Sequence, residues 1–146
     1  MVWPYDILSL ILATLLGAAI GLERELSGKA AGLRTNVLIC LGAAVFTIIS
    51  IKMVDQNSGT VARIAAQIVT GVGFLGAGAI IQDRGGIHGL TTAATIWLVA
   101  SIGMACGAHF FMLGIITTFI ALTILIIPAK IERMLKNQRK DENNMK

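Results

Sequence analysis

Residues 15–46 read LLGAAIGLERELSGKAAGLRTNVLICLGAAVF. A small-residue apolar run reaches Leu22, a charged turn follows, and a second apolar run opens after Gly32-Leu33-Arg34-Thr35. Two such runs around a short charged turn describe a helix that leaves a bilayer and one that re-enters it. The whole chain has the same character. Its 146 residues are 55% hydrophobic and 14% charged, with a mean hydropathy of +0.80, whereas soluble domains carry about 25% charged residues. This composition excludes a soluble globule, a disordered chain, a disulfide scaffold and a DNA-binding domain. The net charge of +4 does not point to nucleic acid, because half of the basic residues lie after Pro128, which suits membrane topology or a lipid surface. Cys40 and Cys106 sit among apolar residues without metal-ligand spacing and read as buried free thiols.

A spanning helix needs about 20 apolar residues. Five runs qualify: Ile7 to Leu22, with Trp3 and Tyr5 as an interfacial flank, Thr35 to Ile51, Ile64 to Ile81, Leu90 to Cys106, and Phe110 to Ala129. The first has no basic residue before it and an acidic GLERE after it, so it does not read as a cleaved signal peptide. The expected architecture is all-α and polytopic, with a transmembrane domain over 1–129 and a short basic segment over 130–146. Connections on one side hold ten Lys and Arg and those on the other hold two, Lys52 and Arg63. The positive-inside rule then puts the N-terminus outside and the C-terminus in the cytoplasm.

Residues 16–25 and 31–42 can be laid on 75–84 and 88–99, both units re-entering through Gly-Leu-x-Thr. Helices 1–2 and 3–4 would then form a parallel repeat. Small residues let helix backbones approach in lipid. Gly71, Gly73, Gly76 and Gly78 therefore mark the third helix as the expected packing hub, with Gly76 in close contact, while the isoleucine-rich fifth helix should face lipid.

Gly71-Val72-Gly73-Phe74-Leu75-Gly76 matches the dinucleotide pattern GxGxxG. It lacks the strand before it, the helix it should open and the acidic residue about 20 positions on, so it does not read as a nucleotide site. Enzyme chemistry is not expected. His88 and His109 fall on opposite faces of the membrane, and no nucleophile–base pair is available.

The series LLGAAIGLERE, KAAGLRTNVLICLGAAVF, RIAAQIVTGVGFLGAGAIIQD and GLTTAATIWLVASIGMACG resembles the membrane domain of the MgtC/SapB family over roughly residues 7 to 108. The resemblance implies a bacterial inner-membrane protein tied to growth at low magnesium and, in some pathogens, to virulence. It also implies action on a membrane partner, the ATP synthase, with magnesium transport as the alternative. Many members carry a cytoplasmic C-terminal domain. Here seventeen residues follow Ala129, which puts functions of that domain in doubt. On the family pattern Glu23, Arg24, Gly32, Leu33, Arg34 and Thr35 are the first-motif positions.

Two polar groups are candidate sites. On the inner side Arg24 and Arg34 can pair with Glu23, Glu25 or Asp83, with Thr35 and Arg84 beside them, either as a network joining the two helix pairs or as a solvated charge layer. On the outer side Arg63 and Gln67 share a helix face that Thr70 and Gly71 continue. Gln67 reads as the amide within an apolar span, hydrogen-bonding another helix or lining a water-filled pocket. Gly89, Thr91, Thr92 and Thr95 open the fourth helix, their hydroxyls satisfying local carbonyls or facing an ion or partner.

No Asp or Glu falls at mid-span. Magnesium prefers carboxylate and water oxygens, so a carboxylate-based carrier is disfavoured, although a pore lined by Thr, Gln67 or carbonyls stays open. The residues identify no metal site and no cofactor is expected. The partners expected are the bilayer and either a second copy or a larger membrane complex, with no nucleic acid. After Pro128, the stripe Ile131, Met134 and Leu135 among five basic residues reads as a helix on the cytoplasmic lipid surface or a tail that fixes topology.

Overall fold

The computed structural model describes the backbone of residues 4–53, 61–83 and 86–144, and the side chains of 4–53, 65–82 and 86–127. Five helices follow one another: α1 Pro4–Leu26, α2 Leu33–Met53, α3 Val61–Gly78, α4 Leu90–Gly107 and α5 Phe111–Asn144. Helices α1, α2 and α4 are long and apolar enough to cross a membrane, and shorter apolar stretches run over 65–78 in α3 and 111–127 in α5. The molecule is an all-α membrane protein.

Where the third span was expected to reach Ile81, the helix stops at Gly78. Strands β1 Ile81–Asp83 and β2 Gly86–His88 then pair as a small antiparallel hairpin, Ile81 opposite His88. Gly89 follows with φ 87°, and a Cβ there would collide with the Ala79 carbonyl oxygen, so the entry to α4 needs glycine. Both α2 and α4 open at a leucine after glycine, Leu33 and Leu90, but a turn joins the first helix pair and a hairpin the second. The fifth helix carries on through Pro128 to Asn144, so the backbone has no break where the basic segment begins. Its 34 residues would rise about 51 Å, against about 30 Å of hydrocarbon. The stripe at Ile131, Met134 and Leu135 lies outside the described side chains.

The core sits among α1, α2 and α4. In α1 the buried positions are Asp6, Ser9, Ala13, Gly17, Ile20, Gly21 and Arg24, a single face at helical spacing. Opposite it stand Cys40 and Ala44 of α2 and Val99, Ile102 and Cys106 of α4, all essentially inaccessible. Both cysteines are free thiols. Lipid is as apolar as these side chains, so what holds the helices together is close van der Waals packing. Glycine permits it. A Cβ on Gly17 would lie 2.7 Å from Cβ of Cys40, and one on Gly103 would collide with the Cys40 carbonyl oxygen.

This corrects the expected hub. Among the described side chains of α3 the buried positions are Ile68, Val72 and Gly76, and Gly76 makes ordinary contact, 3.5 Å from its built Cβ to the Ala93 carbonyl oxygen. At Gly71, Gly73 and Gly78 a Cβ would meet nothing within 4 Å. Gly71, Gly73 and Gly78 lie on the outer surface of α3, and the glycines of α1 and α4 make the close crossings. On α5, Phe119 and Ile120 are exposed, as expected of a lipid-facing helix, while Ala121 and Thr118 turn inward.

Candidate functional site: a buried polar layer and an outer clasp

One end of the bundle carries the α1–α2 turn and the start of α4. There Arg24, in the last turn of α1, is 3% exposed and donates from Nη2 to Thr92 Oγ1 at 3.4 Å. Its Nη1 lies 3.7 Å from Glu23 Oε2. Glu23 accepts a hydrogen bond from Ser27 on its other oxygen at 2.8 Å. Arg24 therefore ties α1 to α4 through Thr92, and among the described carboxylates it pairs with Glu23. Glu25 is used elsewhere: its Oε2 accepts the Leu33 N–H at 2.9 Å and caps α2 from across the turn. Arg34 and Thr35 are exposed, and Arg34 has no carboxylate partner among the described residues. The side chain of Asp83 and all of Arg84 lie outside the described residues.

Asn36 was not singled out, yet it is inaccessible and stands at the centre of this layer. Its Nδ2 donates to the carbonyls of Ala31 and Gly32, both at 2.8 Å, which closes the last part of the α1–α2 turn. It is also an amide at the opening of an apolar span, so Gln67 does not stand alone in that respect. Three buried polar atoms here have no hydrogen-bond partner among the described residues: Glu23 Oε2, Arg24 Nε and Asn36 Oδ1. A buried polar atom without a partner is costly, and two of these three are oxygen acceptors.

The threonines of α4 divide. Thr95 bonds the Thr91 carbonyl oxygen at 2.8 Å, Thr92 receives Arg24, and Thr91 is exposed. Hydroxyls elsewhere behave like Thr95. Ser9, Thr14, Thr47 and Thr118 all bond the carbonyl four residues back at 2.8 to 2.9 Å, which satisfies the hydroxyl inside its own helix.

At the opposite end lies a cluster that the sequence reading did not propose. Asp6 is 4% exposed and pairs with Lys52 of α2, while His109 Nε2 is 3.7 Å from Asp6 Oδ1. The His109 ring stands edge-on to Tyr5 and Phe111, with centroids 6.3 and 5.8 Å away. His109 adopts φ 64° in the turn between α4 and α5. The start of α1, the end of α2 and that turn are thus clasped through one carboxylate. Among the described residues no three His, Cys, Asp or Glu side chains gather as metal ligands.

Gln67 and Gly71 line an apolar groove of about 500 Å³ between α2 and α3, with Leu38, Gly42, Phe46 and Leu75 among its walls. Gln67 thus lines a groove, but one whose other walls are apolar rather than those of a water-filled pocket. The Arg63 side chain lies outside the described residues.

The profile of the MgtC family matches residues 10–134. A protein named "Protein MgtC" from Salmonella typhimurium is 48% identical over 131 residues, 90% of this chain and 53% of that protein. "Putative magnesium transporter YhiD" of Escherichia coli K12 is 45% identical over 138 residues, 90% of this chain and 64% of that one. "Uncharacterized protein slr0014" of a Synechocystis is 38% identical, over 94% of this chain and 58% of its own length. The chain thus spans between about half and just under two thirds of these relatives. No solved structure matches it.

Proposed function

This chain belongs to the MgtC family, and from that we propose that it is a non-enzymatic regulator in magnesium-limitation physiology, acting through contact with a partner in the bacterial inner membrane. The ATP synthase is the partner to test first, and virulence is the setting in which pathogenic relatives would use it. The N-terminus faces out and the C-terminus the cytoplasm, as the ten-to-two distribution of basic residues supports. The observation that carries this reading is how the described polar groups are used. The hydroxyls of Ser9, Thr14, Thr47, Thr95 and Thr118 are turned back onto their own helices, and the α2–α3 groove is lined by apolar residues apart from Gln67. Neither feature offers a hydrated ion the oxygens it needs. The test is ATP-driven proton pumping in inner-membrane vesicles with and without the full chain. Lower pumping in its presence supports regulation of the synthase, and equal pumping removes that partner.

A second reading has its own support. Glu23 Oε2, ion-paired with Arg24, and Asn36 Oδ1 are buried acceptors that receive no hydrogen bond among the described residues, the oxygen chemistry that a magnesium ion or another cation would use as transported substrate. The name of the Escherichia coli relative points the same way for that protein.

A further inference from the structure

Helix α3 carries a polar side chain, Gln67, on its exposed face. Gln67 is the seventh residue of Val61–Gly78 and the third of the apolar stretch over 65–78, at the edge of the part of α3 apolar enough for hydrocarbon. Its amide has no hydrogen-bond partner among the described residues, and the residue faces outward. In water such exposure would cost nothing. In hydrocarbon an amide without a partner is destabilising by several kcal/mol on cyclohexane-type transfer scales, and an acyl chain can satisfy neither its donor nor its acceptor.

The same helix face explains what would. Gln67, Gly71, Phe74 and Gly78 recur at i, i+4, i+7 and i+11 and lie along one line of α3. Phe74 is 81% exposed, while Gly71 and Gly78 have no atom within 4 Å of a built Cβ. The face therefore holds a projecting ring and, one turn to either side, a hollow with bare backbone. The α2–α3 groove continues the hollow at Gly71 down to Gly42, which is equally open. A knob and its hole on one surface are what a two-fold contact needs, because each copy supplies both parts. The amide is self-complementary in the same sense, one donor and one acceptor from each copy.

We infer that this face of α3 binds the same face of a second copy of the chain, Gln67 pairing with the partner's Gln67 and Phe74 entering the hollow beside the partner's Gly71. Hydrogen-bonding and shape complementarity thus fall on one helix, which favours a second copy over lipid or an unrelated helix. The inference requires only the membrane-spanning fold and is independent of the magnesium reading.

The test uses the full chain in liposomes, with no other protein present. Oxidation of Gln67→Cys should give a covalent dimer, and Ile120→Cys on the exposed face of α5 should not; the unaltered chain, whose two cysteines are buried, is the control. Gly71→Ile should weaken self-association at least tenfold by energy transfer between fluorophores on a C-terminal tag. Thermal stability should be unchanged, since a Cβ at Gly71 would meet no atom within 4 Å. Absence of the Gln67→Cys dimer, cross-linking through Ile120→Cys instead, or unaltered association of Gly71→Ile would each overturn the inference.

Discussion

Arg24 in α1 and Thr92 in α4 are 68 residues apart and joined by a buried 3.4 Å hydrogen bond. Their junction fixes how α1 and α4 meet at the end of the bundle where Glu23 and Asn36 also lie. Removing each partner should have a different effect. Thr92→Val loses one neutral partner and should destabilise by about 1 to 3 kcal/mol. Arg24→Gln leaves the Glu23 carboxylate without its cation in a buried setting and should cost about 3 to 5 kcal/mol. Thermal unfolding in detergent checks the order, and a Thr92 variant worse than the Arg24 variant would refute it.

Glycine positions separate core crossings from open faces. Gly103→Val must push against the Cys40 carbonyl and should lower folded yield sharply, since overpacking costs about 1 to 3 kcal/mol and more against rigid backbone. Gly73→Val meets nothing within its own chain and should fold normally. Size-exclusion yield in detergent measures both. Equal loss would restore α3 as the packing hub.

Gly89→Ala should be destabilising although the change is one methyl group. The residue would have to hold φ 87° and clear the Ala79 carbonyl, and a non-glycine residue in this region costs about 1 to 3 kcal/mol by itself. Unfolding midpoints against an Ala108→Gly control measure the effect. A neutral Gly89→Ala would mean that the hairpin between α3 and α4 adjusts freely.

At the outer clasp the two partners of the ion pair are unequal. The Lys52 side chain is 40% exposed and that of Asp6 is 5%. Lys52→Met takes the cation from a buried carboxylate, whereas Asp6→Asn takes the carboxylate from a lysine whose side chain already reaches solvent. Lys52→Met should therefore destabilise more than Asp6→Asn, by about 1 to 3 kcal/mol. Chemical denaturation of both variants and the double variant decides it; the reverse order would contradict the clasp.

The sequence made the membrane class, the five helices and the Gly-Leu openings of α2 and α4 legible, because apolar length and charge position are local signals. The hub was not legible. Glycines on a lipid-facing surface and glycines at a crossing have the same composition, and only the neighbouring helix tells Gly71 from Gly103. Arg24 could be picked out as a charge at a helix end, but its partner Thr92 lay beyond any local pattern. Asn36 carried a usable signal, an amide in the first turn of an apolar span. Asp6, Lys52 and His109 did not, since three separate elements meet there. The hairpin at 81–88 was missed because three-residue strands are too short to show alternation.

Topology has its own check. A reporter fused after Lys146 should be active only in a cytoplasmic form, and periplasmic activity would contradict five spans with the N-terminus outside.

Magnesium flux through the purified full chain, reconstituted alone in liposomes, most directly separates a contact regulator from a carrier. A contact regulator gives no flux above empty vesicles under an imposed magnesium gradient. Reproducible flux that is lost in Glu23→Gln or Asn36→Leu would contradict that role and assign the buried oxygens at Glu23 and Asn36 to an ion pathway.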